Sequence, residues 1–234
     1  LNPQFRPLNL LFMATAPENV EPRLDFEQEE SRILKATEGL AINLRVEESG
    51  CLQELGKLWE RFPDHYFDVF HLTGHGSIQT SDPFQPYFIT EDEIGERQDA
   101  FADQIAQVFR FRFPPLIFLS GCRTGQQSQK GAILSLAEQL IQQGTTAVLG
   151  WGLPVYETTA TLSASCLYEK LGNGYSLPEA LASTYRYLLQ EKVKDWHLLR
   201  LYVQGSCPGA LVNPPEDFYY DTPERSYDLF LDPL

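Results

Sequence analysis

Residues 67–76 read FDVFHLTGHG, an apolar run that ends in His75 and Gly76. A second apolar run, PPLIFLSGCRTG at residues 114–125, leads into Cys122. Uninterrupted apolar runs of this length are typical of strands that are covered on both faces, as in parallel sheets. The carboxyl ends of parallel strands meet at one edge of a sheet, so we expect His75 and Cys122 to lie close together there.

The whole chain alternates predicted strands with predicted helices. Strands are predicted at residues 8–15, 41–48, 67–73, 115–120, 145–151 and 199–204, and helices at 25–38, 51–62, 102–111, 133–143, 157–171 and 177–190. Residues 86–96 are predicted to form a short strand that leads into a helix, because Thr90 and Glu93 have the spacing of a capping box. This order predicts an α/β fold with a mostly parallel sheet of about six strands and helices on both faces.

The predicted organisation is one domain over residues 1–212, followed by a tail. The tail, residues 213–234, is rich in proline, acidic and aromatic residues and has no clear period. We expect it to be partly ordered or to link to a further module. The sequence begins with Leu1 rather than methionine, so we expect a chain excised from a longer polypeptide.

The charge balance argues against several classes of partner. The 234 residues include 18 basic and 32 acidic side chains, which gives a formal charge of −14. Direct binding to nucleic acid or to an anionic membrane surface needs a cationic face, so neither partner is expected. No apolar run approaches the roughly 20 residues that a membrane span requires.

The spacing of the cysteines and the absence of certain motifs limit which cofactors and metals can be expected. The four cysteines, none of them in a CxxC pair, are Cys51, Cys122, Cys166 and Cys207. This usage predicts reduced thiols in a cytoplasmic protein. No phosphate-binding GxxxxGK[ST] loop occurs, and we expect no cofactor. A zinc site from His71, His75 and Cys122 is disfavoured, because the histidines are predicted on a strand and lack the glutamate of a zincin motif.

His75 and Cys122 together have the chemistry of a nucleophilic pair. A cysteine attacks as the thiolate, and a neighbouring imidazole can take its proton and later protonate a leaving amine. The backbone amides of Gly76 and Cys122 can bind the oxyanion of a tetrahedral intermediate. Isolated buried cysteines and histidines are, however, most often part of the core. His71, on the same strand face as His75, is interpreted as such a core histidine rather than as a residue that orients the site.

Two motifs resemble those of a known family, HLTGHG at residues 71–76 and LSGCRTG at residues 119–125. They are similar to the histidine and cysteine motifs of the CHAT family, caspase-like cysteine peptidases related to separase. The resemblance extends to GAILSLAEQLIQQGTTAVLGWGLPVYETTAT at 131–161, SCLYEKLGNGYSLPEALASTYRYL at 165–188 and DWHLLRLYVQG at 195–205. It covers roughly residues 5–206, and the motifs are specific jointly rather than singly.

The resemblance implies a caspase-like three-layer sandwich that acts as a cysteine endopeptidase on a protein or peptide substrate. It implies that His75 is the general base or acid, that Cys122 is the nucleophile, and that the amides of Gly76 and Cys122 are the oxyanion donors. Family members are commonly effector domains held inactive by regulatory domains or subunits, such as tetratricopeptide repeats or a sensor module. Several act in bacterial defence. The competing interpretation is a non-catalytic interaction or scaffold domain that retains the pair.

Three residues are candidates for the substrate pocket. Asp68 and Glu157 can recognise a basic side chain, which separase-like relatives favour before the cleaved bond, and Trp151 follows a buried strand. Each also has a structural interpretation. Asp68 begins a predicted strand, Glu157 begins a predicted helix, where a carboxylate suits the helix dipole, and a buried tryptophan packs well in a core. Family members often have aspartate where this chain has Glu157, and this departure bears on substrate choice.

Overall fold

The structure, a computed structural model, describes residues 4–20, 26–79, 81–121, 132–153 and 155–213. Within these ranges the strands are β1 (Gln4–Phe5), β2 (Leu8–Ala14), β3 (Ile42–Glu47), β4 (Val69–Gln79), β5 (Gln85–Glu91), β6 (Arg97–Phe101), β7 (Leu116–Gly121), β8 (Ala147–Trp151), β9 (Leu199–Val203) and β10 (Val212–Asn213). The helices are α1 (Phe26–Thr37), α2 (Leu52–Trp59), α3 (Ala102–Val108), α4 (Ala132–Gln142), α5 (Glu157–Gly172) and α6 (Leu177–Gln190), with a short 3-10 helix at Trp196–Leu198.

Six strands follow one another across the main sheet in the order β3–β2–β4–β7–β8–β9. The first five are parallel, and β9 runs antiparallel to β8. The predicted α/β class and the mostly parallel sheet of six strands are therefore confirmed. From β2 the chain passes outward to β3 and then returns to β4 on the other side, so the strand order reverses at this point. In such sheets, sites form outside the carboxyl ends of the strands where the order reverses.

Helices cover both faces of the sheet and so complete a three-layer sandwich. One buried cluster joins Leu116 and Phe118 of β7 to residues of α5 and α6. A second cluster joins Ile117 and Leu119 of the same strand to residues of α2, α3 and α4. Neighbouring residues on a strand point to opposite faces. Because both faces are covered, every position of β7 is buried and its sequence shows no polar alternation.

An antiparallel hairpin that the sequence analysis did not predict extends β4 beyond the parallel sheet. The described parallel ladder between β4 and β7 reaches the pair Gly74–Gly121, and from His75 onward β4 also pairs with β5 in an antiparallel ladder. Strand β5 then pairs with β6. The predicted end of the strand at residue 73 was therefore too early, and the predicted helix start within residues 86–96 was wrong.

The residues taken for a capping box belong to this hairpin for a physical reason. Thr90 is buried within β5, and its hydroxyl donates to the Gln98 carbonyl across the hairpin at 3.1 Å. The turn that follows is closed by Asp92, whose carboxylate accepts from the amides of Ile94 and Glu96, both at 2.9 Å. Such an Asx turn uses the same short polar residues as a helix start, so local sequence does not separate the two.

Helix boundaries otherwise fall close to the predictions, except that α2 and α3 each end three residues earlier than predicted. Helix α2 ends at Trp59 rather than at residue 62. Helix α3 ends at Val108 rather than at residue 111, because Arg110 and Phe111 have φ angles of 49° and 57° and leave the helical region. Helix α6 has the predicted bounds and begins with a capping box, in which the Ser176 amide donates to the Glu179 carboxylate at 3.0 Å.

The two ends of the described chain meet in a small separate sheet. Strand β10 pairs in parallel with β1, through Gln4 with Val212 and Phe5 with Asn213. Residues 214–234 lie outside the described residues, so the proposed boundary and tail stay predictions. In the part of the chain that is described, no helix has both the length and the apolarity needed to cross a membrane.

Candidate active site

His75 lies where β4 changes partners at the carboxyl edge of the sheet. It faces Ile89 of β5 in the antiparallel ladder and is 4% exposed. By strand alternation its side chain lies on the same face as His71, which is the face covered by α5. His75 is therefore part of the edge at which sites form in this architecture.

Cys122 lies outside the described residues. The residue directly before it, Gly121, ends β7 and pairs with Gly74, which directly precedes His75. The structure thus brings the two strands into a register in which the predicted histidine and cysteine are the next residues on each. The expectation that His75 and Cys122 lie close together stays a prediction.

Three glycines at this edge lie under one side chain of α4. Built Cβ atoms at Gly76, Gly121 and Gly150 would each have an Ile133 side-chain atom as their nearest contact, at 2.6, 3.2 and 2.9 Å respectively. Real Cβ atoms essentially never approach closer than 3.0 Å. A side chain at Gly76 or Gly150 would therefore displace Ile133 or the strand beneath it. Gly76 was predicted to matter only through its backbone amide, and local sequence does not reveal this packing.

Gly74 makes room for a hydroxyl that holds the strand opposite His75. Thr15 donates a hydrogen bond to the Ile89 carbonyl at 2.7 Å, and a Cβ at Gly74 would lie 2.1 Å from that same hydroxyl oxygen. The bond links the end of β2 to β5 at the position paired with His75. Thr15 was predicted only as the end of a strand, because its partner is distant in sequence.

His71 is a core histidine, as the sequence analysis interpreted it. It is 1% exposed, and its Nδ1 lies 2.9 Å from the Tyr168 hydroxyl of α5. Its ring stacks on Phe118 at a centroid distance of 4.7 Å. Burial lowers the pKa of His71 to about 3, so the ring is neutral at pH 7. Among the described residues, no group of three or more His, Cys, Asp or Glu side chains could hold a metal ion.

The pocket candidate Asp68 lies far from His75. Asp68 lies at the amino end of β4, about 23 Å from His75 along the strand. It is 3% exposed and accepts two hydrogen bonds from the Arg6 guanidinium, at 2.6 and 2.8 Å. The Asn9 amide also donates to Asp68 at 2.8 Å. These contacts give Asp68 a structural role and place it at the wrong end of the strand for the predicted pocket.

The other two pocket candidates, Trp151 and Glu157, lie at the end of β8 and at the start of the helix that follows it. Trp151 ends β8, is 1% exposed and packs in the core between the sheet and α5. Its indole Nε1 is buried with no hydrogen-bond partner among the described residues. Glu157 is the first residue of α5, as predicted, and its side chain lies outside the description. Core packing is therefore the role that the structure supports for Trp151.

Two buried or half-buried carboxylates near this edge were not singled out from the sequence. Glu47, at the end of β3, accepts from the Ser49 hydroxyl at 2.7 Å and from the Gly50 amide at 3.0 Å. Glu91, at the end of β5, accepts from the Ala16 amide at 2.8 Å. Burial raises the pKa of Glu91, and the negative charge of Glu47 adds to this effect. Glu91 was missed because its segment had been assigned to a helix start.

Comparisons with known proteins agree with this architecture. The family model described as the CHAT domain matches residues 3–225. Among solved structures, the crystal structure of caspase-1 from Spodoptera frugiperda is similar, with a TM-score of 0.56 and 14% sequence identity. The match covers 92% of this chain and 93% of that one, and at this identity it shows the fold alone. No protein with a curated description matches the sequence.

Proposed function

Because the chain belongs to the CHAT domain family, we propose that it is a cysteine endopeptidase domain with Cys122 as nucleophile and His75 as general base and acid. The observation that carries the proposal is the pairing of Gly74 with Gly121, the residues directly before His75 and Cys122. The caspase-like sandwich supports it, because this fold presents the ends of β4 and β7 side by side.

The proposed reaction is acyl transfer followed by hydrolysis. His75 takes the thiol proton of Cys122, and the thiolate attacks the carbonyl carbon of the peptide bond. The oxyanion that forms accepts hydrogen bonds from the amides of Gly76 and Cys122. When the carbon–nitrogen bond breaks, the imidazolium of His75 gives its proton to the leaving amine. Water, deprotonated by His75, then attacks the thioester, which releases the carboxylate and restores the thiol.

Two pairs of substitutions test the proposal against matched controls. Cys122→Ala and His75→Ala are each expected to abolish cleavage of a peptide library, with the circular dichroism spectrum of the wild type retained. Cys207→Ala and His197→Ala remove an exposed cysteine and an exposed histidine elsewhere on the chain and are expected to cleave at the wild-type rate. Cleavage by Cys122→Ala at the wild-type rate would overturn the proposal.

The competing function is a non-catalytic interaction domain, and the burial of His75 is the observation that favours it. With 4% of its surface exposed, the imidazole offers little surface to a substrate in this conformation. The pH dependence of Cys122 alkylation separates the two functions. If Cys122 is alkylated below pH 7 in the wild type and this reactivity is lost in His75→Ala, the result supports a peptidase. If Cys122 is unreactive in the wild type, the result supports a scaffold domain.

Regulation by other domains or subunits is proposed from the family alone. A peptidase held inactive by a sensor module or by tetratricopeptide repeats would cleave only after its trigger binds. Cleavage by the isolated chain, compared with cleavage by the same chain joined to candidate regulatory domains, tests this proposal. Equal rates with and without the added domains would count against such gating.

A further inference from the structure

The side chain of Ile133 packs against three neighbouring strands at the edge that carries His75. It lies in the first turn of α4 and is 8% exposed. A Cβ at Gly76 would lie 2.6 Å from its Cδ1 and 3.1 Å from its Cγ1. A Cβ at Gly121 would lie 3.2 Å from Cγ1, and a Cβ at Gly150 would lie 2.9 Å from Cγ2. The Cγ1–Cδ1 branch therefore rests on β4 and β7, and the Cγ2 methyl rests on β8.

Two of these three glycines adjoin the proposed catalytic residues in sequence. Gly76 follows His75 on β4, and Gly121 precedes Cys122 at the end of β7. Neighbouring positions on a strand point to opposite faces, so Ile133 contacts β4 on the face opposite to the His75 ring. Its contact is with the backbone that carries the site and not with the reacting groups.

The described ladder between β4 and β7 reaches the pair Gly74–Gly121. From His75 onward β4 also pairs with β5. Close packing from α4 adds a second restraint that fixes one strand end against the other. Ile133 suits that role, because a β-branched side chain in a helix has one strongly preferred rotamer. The helix is itself anchored in the core by Leu136 and Leu140, which are fully buried.

We propose that Ile133 is a positioning residue that sets the spacing between His75 and Cys122 by seating on Gly76, Gly121 and Gly150. The inference rests on the proposed function and adds to it the residue that aligns the pair. Catalytic geometry is sensitive to such support, since a displacement of about 1 Å can cost on the order of 100-fold in rate.

The two branches of Ile133 allow a selective rescue experiment. Gly76→Ala collides with Cδ1, which Ile133→Val removes, whereas Gly150→Ala collides with Cγ2, which Ile133→Val keeps. The double variant Gly76→Ala/Ile133→Val should therefore recover, and Gly150→Ala/Ile133→Val should not. Gly209→Ala is the matched control, because a Cβ there meets nothing within 4 Å.

The readout is the rate of Cys122 alkylation by iodoacetamide between pH 5 and pH 9, quantified by peptide mass spectrometry. The exposed Cys207 serves as the reference thiol within the same molecule. We expect Gly76→Ala to lower the Cys122 rate relative to Cys207 by about tenfold or more at pH 7. Ile133→Val should restore at least half of the loss with the wild-type pH profile, and the kcat for peptide cleavage should follow with little change in KM.

The outcomes separate this inference from the proposed function. Equal rescue of both glycine variants, or rescue of neither, would overturn the positioning role. A wild-type alkylation profile equal to that of His75→Ala would overturn the function and the inference together. A His75-dependent profile with selective rescue but without peptide cleavage would overturn the function and leave the positioning role standing. Where a glycine variant does not fold, the Cys122 alkylation rates of Ile133→Leu and Ile133→Val are compared instead. Leucine lacks the Cγ2 branch, so Cys122 should be alkylated more slowly in Ile133→Leu, and equal rates would overturn the positioning role.

Discussion

Gly74 of β4 and Gly121 of β7 face each other as a parallel pair at the carboxyl ends of these two strands. Both are glycines for reasons of space. A side chain at Gly74 would strike the Thr15 hydroxyl, and one at Gly121 would press on Ile133. One residue further along each strand the sequence has His75 and Cys122. The candidate active site therefore follows a closely packed pair of strand ends. Variants of the residues around this pair test its contribution to stability and activity.

The stability of the protein should fall as the pH drops from about 6.5 to about 3, in part through His71. In the unfolded chain a histidine gains its proton near pH 6.5, whereas burial keeps His71 neutral in the fold until about pH 3. The unfolded state thus binds more protons across this window, and the contribution amounts to at most about 5 kcal/mol. We expect the free energy of unfolding, measured with urea at every half pH unit, to change less steeply with pH in His71→Phe than in the wild type. His197→Ala, at an exposed histidine, should show the pH dependence of the wild type. Identical slopes for wild type and His71→Phe would contradict the neutral buried assignment.

Thr15→Val should loosen the hairpin opposite His75. The substitution keeps the shape of the side chain and removes the hydrogen bond to the Ile89 carbonyl, at a cost of about 1 kcal/mol. Amide exchange in β5 should become faster than in the rest of the sheet, and peptide cleavage should slow. Thr158→Val, at an exposed position of α5, is the matched control. Unchanged exchange in β5 would show that the bond does not hold this strand.

Asp68→Asn should destabilise the fold and leave the cleavage preference unaltered. The substitution weakens the ion pair with Arg6 at the amino end of β4, and the loss of a buried charged hydrogen bond costs about 2–3 kcal/mol. Glu54→Gln, which breaks the exposed pair with Lys57, should leave the stability almost unchanged, because solvent screens exposed ion pairs. The measurements are thermal unfolding and a peptide-library cleavage profile. A changed preference for basic residues in Asp68→Asn would return Asp68 to the substrate pocket.

Glu91→Gln should stabilise the protein at pH 7. Burial and then the neighbouring Glu47 raise the pKa of the Glu91 carboxyl, so its ionisation disfavours the folded state. The folded state therefore holds this proton to a higher pH than the unfolded chain does, and stability declines as the pH rises above about 4.5. Glutamine keeps an oxygen that can accept from the Ala16 amide and carries no charge. Glu93→Gln in the exposed turn is the control. A loss of stability in Glu91→Gln would mean that the charge itself is needed.

Local sequence predicted most of the sheet and failed at the hairpin. The runs that became β2, β4, β7 and β8 are mostly apolar and show no regular polar alternation, and the double coverage of these strands explains that pattern. In the segment from Gln85 to Phe101, polar residues at helix-start spacing competed with a strand pattern. Pairing with β4, which is remote information for that segment, decided the outcome.

The role of Ile133 at the candidate site could not be predicted from local sequence either. In the sequence it is one of several apolar residues at helical spacing in α4, indistinguishable from Leu136 and Leu140. Only the packing of α4 on the sheet reveals that it covers glycines of three different strands. Periodicity reports which face of a helix is buried, but it carries no information about what that face meets.

The sequence by itself determined the α/β class, the strands that lead to His75 and Cys122, and the resemblance to a peptidase family, because these depend on patterns contiguous in the chain. The tertiary structure alone decided that Asp68 pairs with Arg6 far from the site, that Thr15 holds the strand opposite His75, and that Ile133 seats on the strand ends. These relations join residues distant in sequence, and only the completed packing of sheet and helices sets them.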